Sequence, residues 1–191
     1  MSNSFEILMN QLGIPAEMRQ TPALAQADIE RVVVHKISKV WEFHFVFSNI
    51  LPIEIFLELK KGLREEFSKT GNKAIFEIKA LSQEFSNQLL QAYYREAFSE
   101  GPCASQGFKS LYQNLQVRAE GNQLFIEGSE AIDKEHFKKN HLPNLVKQLE
   151  KFGFPTFNCQ VEKNDVLTQE QEEAFHAENE QIVQAANEEA L

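Results

Sequence analysis

Aromatic residues alternate with other residue types from position 41 to position 47, which is the spacing of a β-strand with one aromatic face. The next segment, 52–68, begins with a proline and repeats apolar residues at helical spacing, so it predicts a helix that covers this face. One face of the strand carries Trp41, Phe43, Phe45 and Phe47, and the other carries Glu42, His44 and Val46. We expect the strand and the helix to form the centre of a hydrophobic core.

Residues 1–80 predict a first α+β domain with the order helix, strand, strand, helix, strand. A tight turn at Ser38-Lys39 favours a hairpin between its first two strands. About eighty residues are enough for a small domain to bury a core unaided. The predicted elements are a helix at 5–12, strands at 29–37 and 41–47, a helix at 52–68 and a strand at 73–80.

Residues 81–164 predict a second small α+β domain. Gly121-Asn122 is typical of a two-residue hairpin turn, in which positive φ angles are needed. The predicted elements are helices at 83–99 and 106–114, strands at 116–120 and 123–128, helices at 131–139 and 142–152, and a strand at 156–162. Its predicted core is Leu124, Ile126, Phe137, Leu145, Leu149, Phe157, Cys159 and Val161.

The order helix, strand, strand, helix, helix, strand in this second domain is that of a KH-like fold of type II. KH domains hold nucleic acid with a GXXG loop between their two adjacent helices. Here the junction reads Lys138-Lys139-Asn140-His141 and contains no glycine. A KH-like domain that lacks this loop is not expected to bind nucleic acid in the usual KH manner.

Charge is distributed unevenly along the chain, whose formal net charge is −9. Residues 164–191 contain 8 Asp or Glu and 0 Lys or Arg, so the rest of the chain is nearly neutral. A capping-box pattern at 168–171 begins a predicted acidic linker helix over 165–191, which would repel phosphates and membrane surfaces. The sequence contains no apolar run of membrane-spanning length and no signal-peptide pattern. We expect a cytoplasmic location and no membrane partner.

Carboxylates are poorly placed for metal-dependent catalysis. The Asp-x-Glu pairs that begin at Asp28 and Asp133 are similar to those with which proofreading exonucleases bind two metal ions. The only other aspartate is Asp165, which leaves too few ligands for such a site. Both pairs are better interpreted as acids at a strand edge and at a helix start. An autonomous hydrolase or metalloenzyme is therefore disfavoured.

Histidine and cysteine residues also fail to form a known pattern. His35 and His44 are predicted to face each other across the hairpin. A cross-strand polar pair is the commoner outcome there. A zinc site would need three or four ligands. Cys103 and Cys159 lack CxxC spacing and predict reduced thiols, with one disulfide as the alternative. We expect no catalytic residue, no metal and no cofactor in this chain.

Lysines are concentrated on the two adjacent helices of the second domain. They form a candidate patch for nucleic-acid phosphates, although nearby acids make an ordinary solvated surface the favoured interpretation. A candidate protein contact is the strand face opposite the aromatic residues, namely Glu42, His44 and Val46. The lysines of the candidate patch are Lys134, Lys138, Lys139, Lys147 and Lys151.

Two stretches of the chain carry a family resemblance. They are Val-His-Lys-Ile-Ser-Lys-Val-Trp-Glu-Phe-His-Phe at 34–45, leading to Leu-Pro-Ile at 51–53, and Lys-Phe-Gly-Phe-Pro at 151–155. Both resemble the N-terminal region of the PolC-type family, the α subunit of DNA polymerase III in Gram-positive bacteria. The resemblance spans most of residues 1–165 and includes no catalytic motif.

This resemblance implies a non-catalytic part of a replicative DNA polymerase with proofreading activity, upstream of the OB-fold, PHP, exonuclease and polymerase domains. In that family the first segment is thought to help hold the polymerase to the τ subunit of the clamp loader. We therefore expect a protein-interaction module that binds τ and other replisome proteins. The alternative is a contact with single-stranded or template DNA through the lysine-bearing helices.

Overall fold

The computed structural model of the chain describes residues 2–104, 109, 112–128 and 134–163. The predicted linker helix at 165–191 lies outside the described residues, as does most of the predicted helix at 106–114.

The described residues confirm the α+β class, with two units that each contain a three-stranded sheet. The first unit comprises α1 (Asn3–Gln11), α2 (Ala16–Arg19), β1 (Asp28–His35), β2 (Val40–Phe47), α3 (Ile53–Ser68) and β3 (Lys73–Ala80). The second comprises α4 (Asn87–Glu96), β4 (Gln116–Glu120), β5 (Gln123–Gly128), α5 (Lys134–Asn140), α6 (Leu142–Lys151) and β6 (Asn158–Lys163).

The two sheets have the same topology. In each, two consecutive strands form an antiparallel hairpin, and a helical crossover returns the chain to a third strand parallel to the second. The strand orders β1-β2-β3 and β4-β5-β6 therefore place β2 and β5 in the centre. Consequently β3 lies at one edge of the first sheet, which matters for the groove described below.

The aromatic face of β2 is covered by α1 and α3. The ring of Phe5 in α1 packs edge-on against Phe45 and Phe47, with centroids 5.6 and 5.5 Å apart. The Phe67 ring of α3 lies 5.4 Å from Trp41. Three of the four predicted aromatic residues of β2 are buried, and Trp41 is half-buried at the end of the strand. The predicted strand and helix are thus confirmed as the core of the first unit.

The two units pack against each other through aromatic rings. Phe56 of α3 lies 5.0 Å from Tyr93 of α4 and 4.9 Å from Phe152, which follows α6. Tyr93 and Phe152 are themselves 5.4 Å apart, and all three residues are buried. The Tyr93 hydroxyl donates a 3.1 Å hydrogen bond to the carbonyl of Leu51 in the first unit. The buried residues of both units therefore belong to one continuous core.

Ion pairs continue this contact at the surface. Lys60 of α3 lies 2.5 Å from a carboxylate oxygen of Glu96 in α4 and 3.4 Å from one of Glu100. Arg64 also pairs with Glu100. The Lys151 ammonium of the second unit lies 3.0 Å from Glu77 of β3 in the first. Each unit thus contributes both cations and carboxylates to the ion pairs between them.

The predicted elements are confirmed except at some of their ends. Strands β3, β4 and β5 have the predicted bounds, and Gly121 adopts the positive φ of +60° that its hairpin turn requires. Strand β1 ends at His35 rather than at 37, because the chain is already turning there, with Lys39 at a φ of +54°. The predicted core of the second unit is confirmed, with Cys159 and Val161 partly buried and the other six residues buried.

Helix α4 begins four residues after its predicted start at 83. The Ser86 side chain accepts a hydrogen bond from the Leu89 amide and caps a helix that begins at Asn87. Leu90, Tyr93 and Tyr94 are its buried residues, because the helix contacts both units. Tyr94 donates a 2.7 Å hydrogen bond to the Tyr112 carbonyl of the second unit.

Candidate functional site

A polar network covers the face of β2 that lies opposite its aromatic side chains. Glu42 is its centre, with one carboxylate oxygen 3.1 Å from His35 Nε2 and the other 3.0 Å from His44 Nε2. Arg31 Nη2 also lies 3.0 Å from His44 Nε2, and His44 Nδ1 lies 3.7 Å from a carboxylate oxygen of Glu77. The predicted pairing of His35 with His44 is thus indirect, because both rings bind Glu42 between them.

This network places two of the three predicted partner-contact residues in mutual contact. The His44 side chain is only 13% exposed and Glu42 is 24% exposed, so most of their polar surface faces other side chains. Val46 is half-buried on the same face, opposite Asp28 of β1 and Lys79 of β3 in the sheet register. Helix α1 packs on the other face of β2 and therefore does not cover this one.

The electrostatics of the network depend mainly on Glu42. Its hydrogen bond with His35 lowers the pKa of the Glu42 carboxyl, against the opposing effect of burial. Ligand atoms of Glu42, His44 and Glu77 lie within 4.8 Å of one another, which is close enough to bind a metal ion. The cations of Arg31 and Lys151 already lie 3.0 Å from His44 and from Glu77. They offset the negative charge that would attract a metal, so this cluster is best described as an ion-pair network.

The lysines of the predicted nucleic-acid patch do not converge on one point. Lys138 and Lys139 are exposed at the end of α5, next to the start of α6, whereas Lys151 is at the other end of α6. Ten helical residues span about 15 Å. Lys147 is exposed one turn before Lys151, whose ammonium pairs with Glu77. Lys134 is in α5, but its side chain lies outside the described residues.

Neither thiol is activated as a nucleophile. Burial raises the pKa of Cys103 to about 11 and that of Cys159 to about 12. Reactive thiols are instead found where nearby cations lower the pKa. Of the two Asp-x-Glu pairs, Asp28 and Glu30 are exposed on the edge strand β1, and Asp133 lies outside the described residues. The geometry thus indicates ordinary core and surface roles for these groups.

The described residues also form a groove beside β3, which no sequence pattern predicts. It has a volume of about 550 Å³ and is lined by α3, β3, the 99–101 segment and α6. These segments are far apart in sequence, and only the packing of the two units brings them together. The lysine of the predicted patch that reaches this groove is Lys151.

Among the described residues, no helix combines the length and the apolar character needed to cross a membrane.

Two family profiles match the chain. The profile described as DNA polymerase III polC-type N-terminus I matches residues 4–78, and the one described as N-terminus II matches residues 92–191.

Curated proteins called DNA polymerase III PolC-type are also similar to the chain. That of Streptococcus pneumoniae serotype 2 (strain D39) is 96% identical over 179 residues, which cover 94% of this chain and 12% of that protein. That of Streptococcus sanguinis is 64% identical over all 191 residues, and that of Streptococcus suis is 47% identical. The chain thus spans about an eighth of the length of these relatives. No solved structure matches it.

Proposed function

The chain belongs to the PolC-type DNA polymerase III family as its non-catalytic N-terminal segment, and we propose that it tethers the polymerase to the τ subunit of the clamp loader. In this proposal it acts in the cytoplasm, as part of a replisome, and takes no part in nucleotide addition. Other replisome proteins are further partners. The second unit has the element order of a KH-like domain and serves as a structural support.

The continuous core of the two units is the observation that carries this proposal. A tether must transmit force between its partners without unfolding, so two small domains benefit from one shared core. Phe56, Tyr93 and Phe152 supply that core contact, and Lys60 with Glu96 adds an ion pair beside it. An interface of this kind suits a rigid docking body better than it suits two domains that close on a substrate.

The outer face of the first sheet supports docking of a protein rather than of DNA. Its side chains alternate in charge, with Arg31, Glu42 and Glu77 around His44. A phosphate backbone is bound by surfaces rich in Lys and Arg, because its affinity comes largely from neutralised phosphates. A mixed surface instead gives a protein partner several oriented hydrogen-bond donors and acceptors.

A second candidate function is a contact with single-stranded or template DNA. Its support is the exposure of Lys138, Lys139 and Lys147 on adjacent helices, where they are accessible to phosphates. Salt distinguishes the two functions. A contact with three phosphates of a single strand weakens about 30-fold when salt rises from about 0.1 M to about 0.5 M, whereas an apolar protein contact changes little.

The test compares full-length polymerase with a version that lacks residues 1–163, by surface plasmon resonance on immobilised τ. The proposal predicts that the deletion removes most of the τ affinity and leaves primer extension on naked template unchanged. Retention of full τ affinity by the deleted polymerase would contradict the tether. The same two proteins on immobilised single-stranded DNA test the second candidate, which predicts that only the intact polymerase shows the additional salt-sensitive binding.

A further inference from the structure

The groove beside β3 has an apolar floor and a charged rim. Phe56, Phe76 and Phe152 are among the residues that line it. Phe76 and Ala74 are half-buried and provide its accessible apolar surface, whereas the rings of Phe56 and Phe152 are buried. Side chains of α3, the 99–101 segment and the end of α6 also line it. The charged residues of the lining are Lys60, Arg64, Lys73, Lys151, Glu77 and Glu100.

Within the part of the chain that the structure describes, strand β3 presents backbone groups without a hydrogen-bond partner to this groove. The amide of Lys73 donates to Lys39 and that of Leu81 donates to Phe47, so odd-numbered residues of β3 bond to the β2 side. In a parallel ladder alternate residues point to opposite sides. The N–H and C=O groups of Ala74 and Phe76 therefore point away from β2, towards the open edge.

Only the first half of this edge is open. Further along the strand, Gly153 lies so close that a Cβ atom there would be 3.1 Å from Ile78 and 3.3 Å from Ala80. The segment that follows α6 thus covers β3 at Ala80. From 72 to 77 the strand instead lines the groove, where Ala74 and Phe76 are only half-buried. An unpaired strand edge of this kind is a template for a further strand.

Charge indicates what kind of strand fits. Four cations and two carboxylates line the groove. Glu100 is shared between Lys60 and Arg64, and Lys151 pairs with Glu77. Lys60 also lies 2.5 Å from Glu96, which is outside the lining. Among the described residues, the ammonium of Lys73 has no ion pair or hydrogen bond, so it leaves one uncompensated positive charge on the rim. A ligand that places a carboxylate near Lys73 neutralises this charge.

We propose that this groove binds an extended acidic peptide of a partner protein, which adds as a fourth strand to the free edge of β3. Its backbone bonds to the outward groups of Ala74 and Phe76, as in other cases of β-strand addition. Alternate side chains of the peptide contact the apolar floor, and acidic side chains contact the rim. This inference goes beyond the proposed function and does not depend on the partner being τ.

The first test follows backbone amides of the 191-residue chain by NMR. The free chain should show faster hydrogen exchange at Ala74 and Phe76 than at Ile75 and Glu77, because only the latter pair bonds to β2. The probe is a blocked synthetic peptide that alternates glutamate with valine. It should protect the amides of Ala74 and Phe76 from exchange. Protection at Ile75 and Glu77 alone, or no change on the edge of β3, would overturn the proposal.

Variants identify the two parts of the interaction. Ala74→Pro removes the outward donor without removing a bond to β2, and an edge strand tolerates proline at such a position. It should abolish binding of the probe, whereas Ala74→Val, which keeps the donor, should retain it. If the proline variant fails to fold, the test uses a probe peptide whose backbone amides are N-methylated. This probe cannot donate hydrogen bonds to the edge of β3 and should no longer bind the chain. Equal binding of the methylated and unmethylated probes would overturn strand addition.

Charge reversal tests the rim. Lys73→Glu should weaken binding of the glutamate probe about two- to fivefold, which corresponds to a surface ion pair of up to about 1 kcal/mol. Lys147→Glu makes the same charge change outside the groove and should leave the affinity unchanged. A probe with lysine in place of glutamate should not bind. Equal effects of the two variants, or tighter binding of an oligothymidylate than of the peptide at the same residues, would contradict an acidic peptide as the occupant.

Discussion

Phe56 of α3 and Phe152 after α6 meet edge to face, with ring centroids 4.9 Å apart and an interplanar angle of 73°. One ring belongs to the first unit and the other to the second, and both are buried. Their contact removes from water an apolar surface that each unit alone would expose. The two sheets therefore depend on each other for stability.

The replacement Phe152→Ala should destabilise both units together. Removal of a buried phenylalanine costs about 3–5 kcal/mol. Urea unfolding followed by Trp41 fluorescence reports on the first unit, and the NMR signal of Ile126 reports on the second. Both transitions should move to lower urea by the same amount. The exposed residue Ile7 is the control, because Ile7→Ala should change stability by less than about 0.5 kcal/mol. A shift of the Ile126 transition alone would show that the units unfold independently.

The replacement Trp41→Ala should weaken the first unit. Trp41 is half-buried and packs against Phe67 at 5.4 Å, so the loss should be near the lower end of the range for core aromatics, about 3 kcal/mol. Thermal unfolding followed by circular dichroism measures it. The control variant is Val34→Ala. Val34 pairs with Trp41 across the hairpin, but its side chain is 41% exposed. A wild-type melting curve for Trp41→Ala would mean that this ring contributes no core packing and would make it a candidate partner contact.

The replacement Glu42→Gln should cost stability at neutral pH and cost less in acid. The pKa of Glu42 is lowered in the folded chain, so its ionised form stabilises the fold above the unfolded pKa. That contribution is lost as pH falls through the folded pKa. The loss at pH 7 should be at most about 1 kcal/mol, because the network is partly exposed. Urea unfolding at a series of pH values should show the two proteins converging below about pH 4. Parallel curves down to low pH would contradict the role of this carboxylate.

Stability should also fall in alkali. Burial raises the pKa of Tyr93 and Tyr94 above the ordinary range, and raises that of Cys103 to about 11. These groups are neutral in the folded state. Their contribution to the free energy of unfolding is therefore complete below the unfolded pKa values, which are about 8.5 for Cys and about 10 for Tyr. It is lost as pH rises through the folded values. The free energy of unfolding should decline above about pH 8.5, and above about pH 10 the slope should be smaller in Tyr94→Phe. An identical slope in that variant would exclude Tyr94 as a cause.

The local pattern of the sequence was sufficient to predict most elements. Strand β2 and helix α3 carry complete periodicities, with apolar positions at every second residue or at helical spacing, and both were correctly assigned. Helix α4 begins at Asn87 rather than at the predicted 83. Phe85 precedes the Ser86 cap and packs on Phe154 and Phe157, so this apolar residue reflects a tertiary contact and not a helical turn.

The surface sites were less accessible to sequence reasoning. Lys151 is spaced for a lysine patch with Lys147, yet it pairs with Glu77, a residue of the other unit. The groove beside β3 depends on the same contact between units and on which strand lies at the sheet edge. Neither property follows from residue types or spacing, because both arise from the packing of segments that are distant in sequence.

The most direct test of the tether is a calorimetric titration of this chain with the C-terminal region of τ, at about 0.1 M and about 0.5 M salt. The account predicts saturable heat at both salt concentrations, with affinity changed only a few-fold. The variant Lys147→Glu with Lys151→Glu should bind τ equally well if the lysine-bearing helices take no part. Absence of heat, or binding that disappears at the higher salt, would contradict a protein tether and favour the contact with nucleic acid.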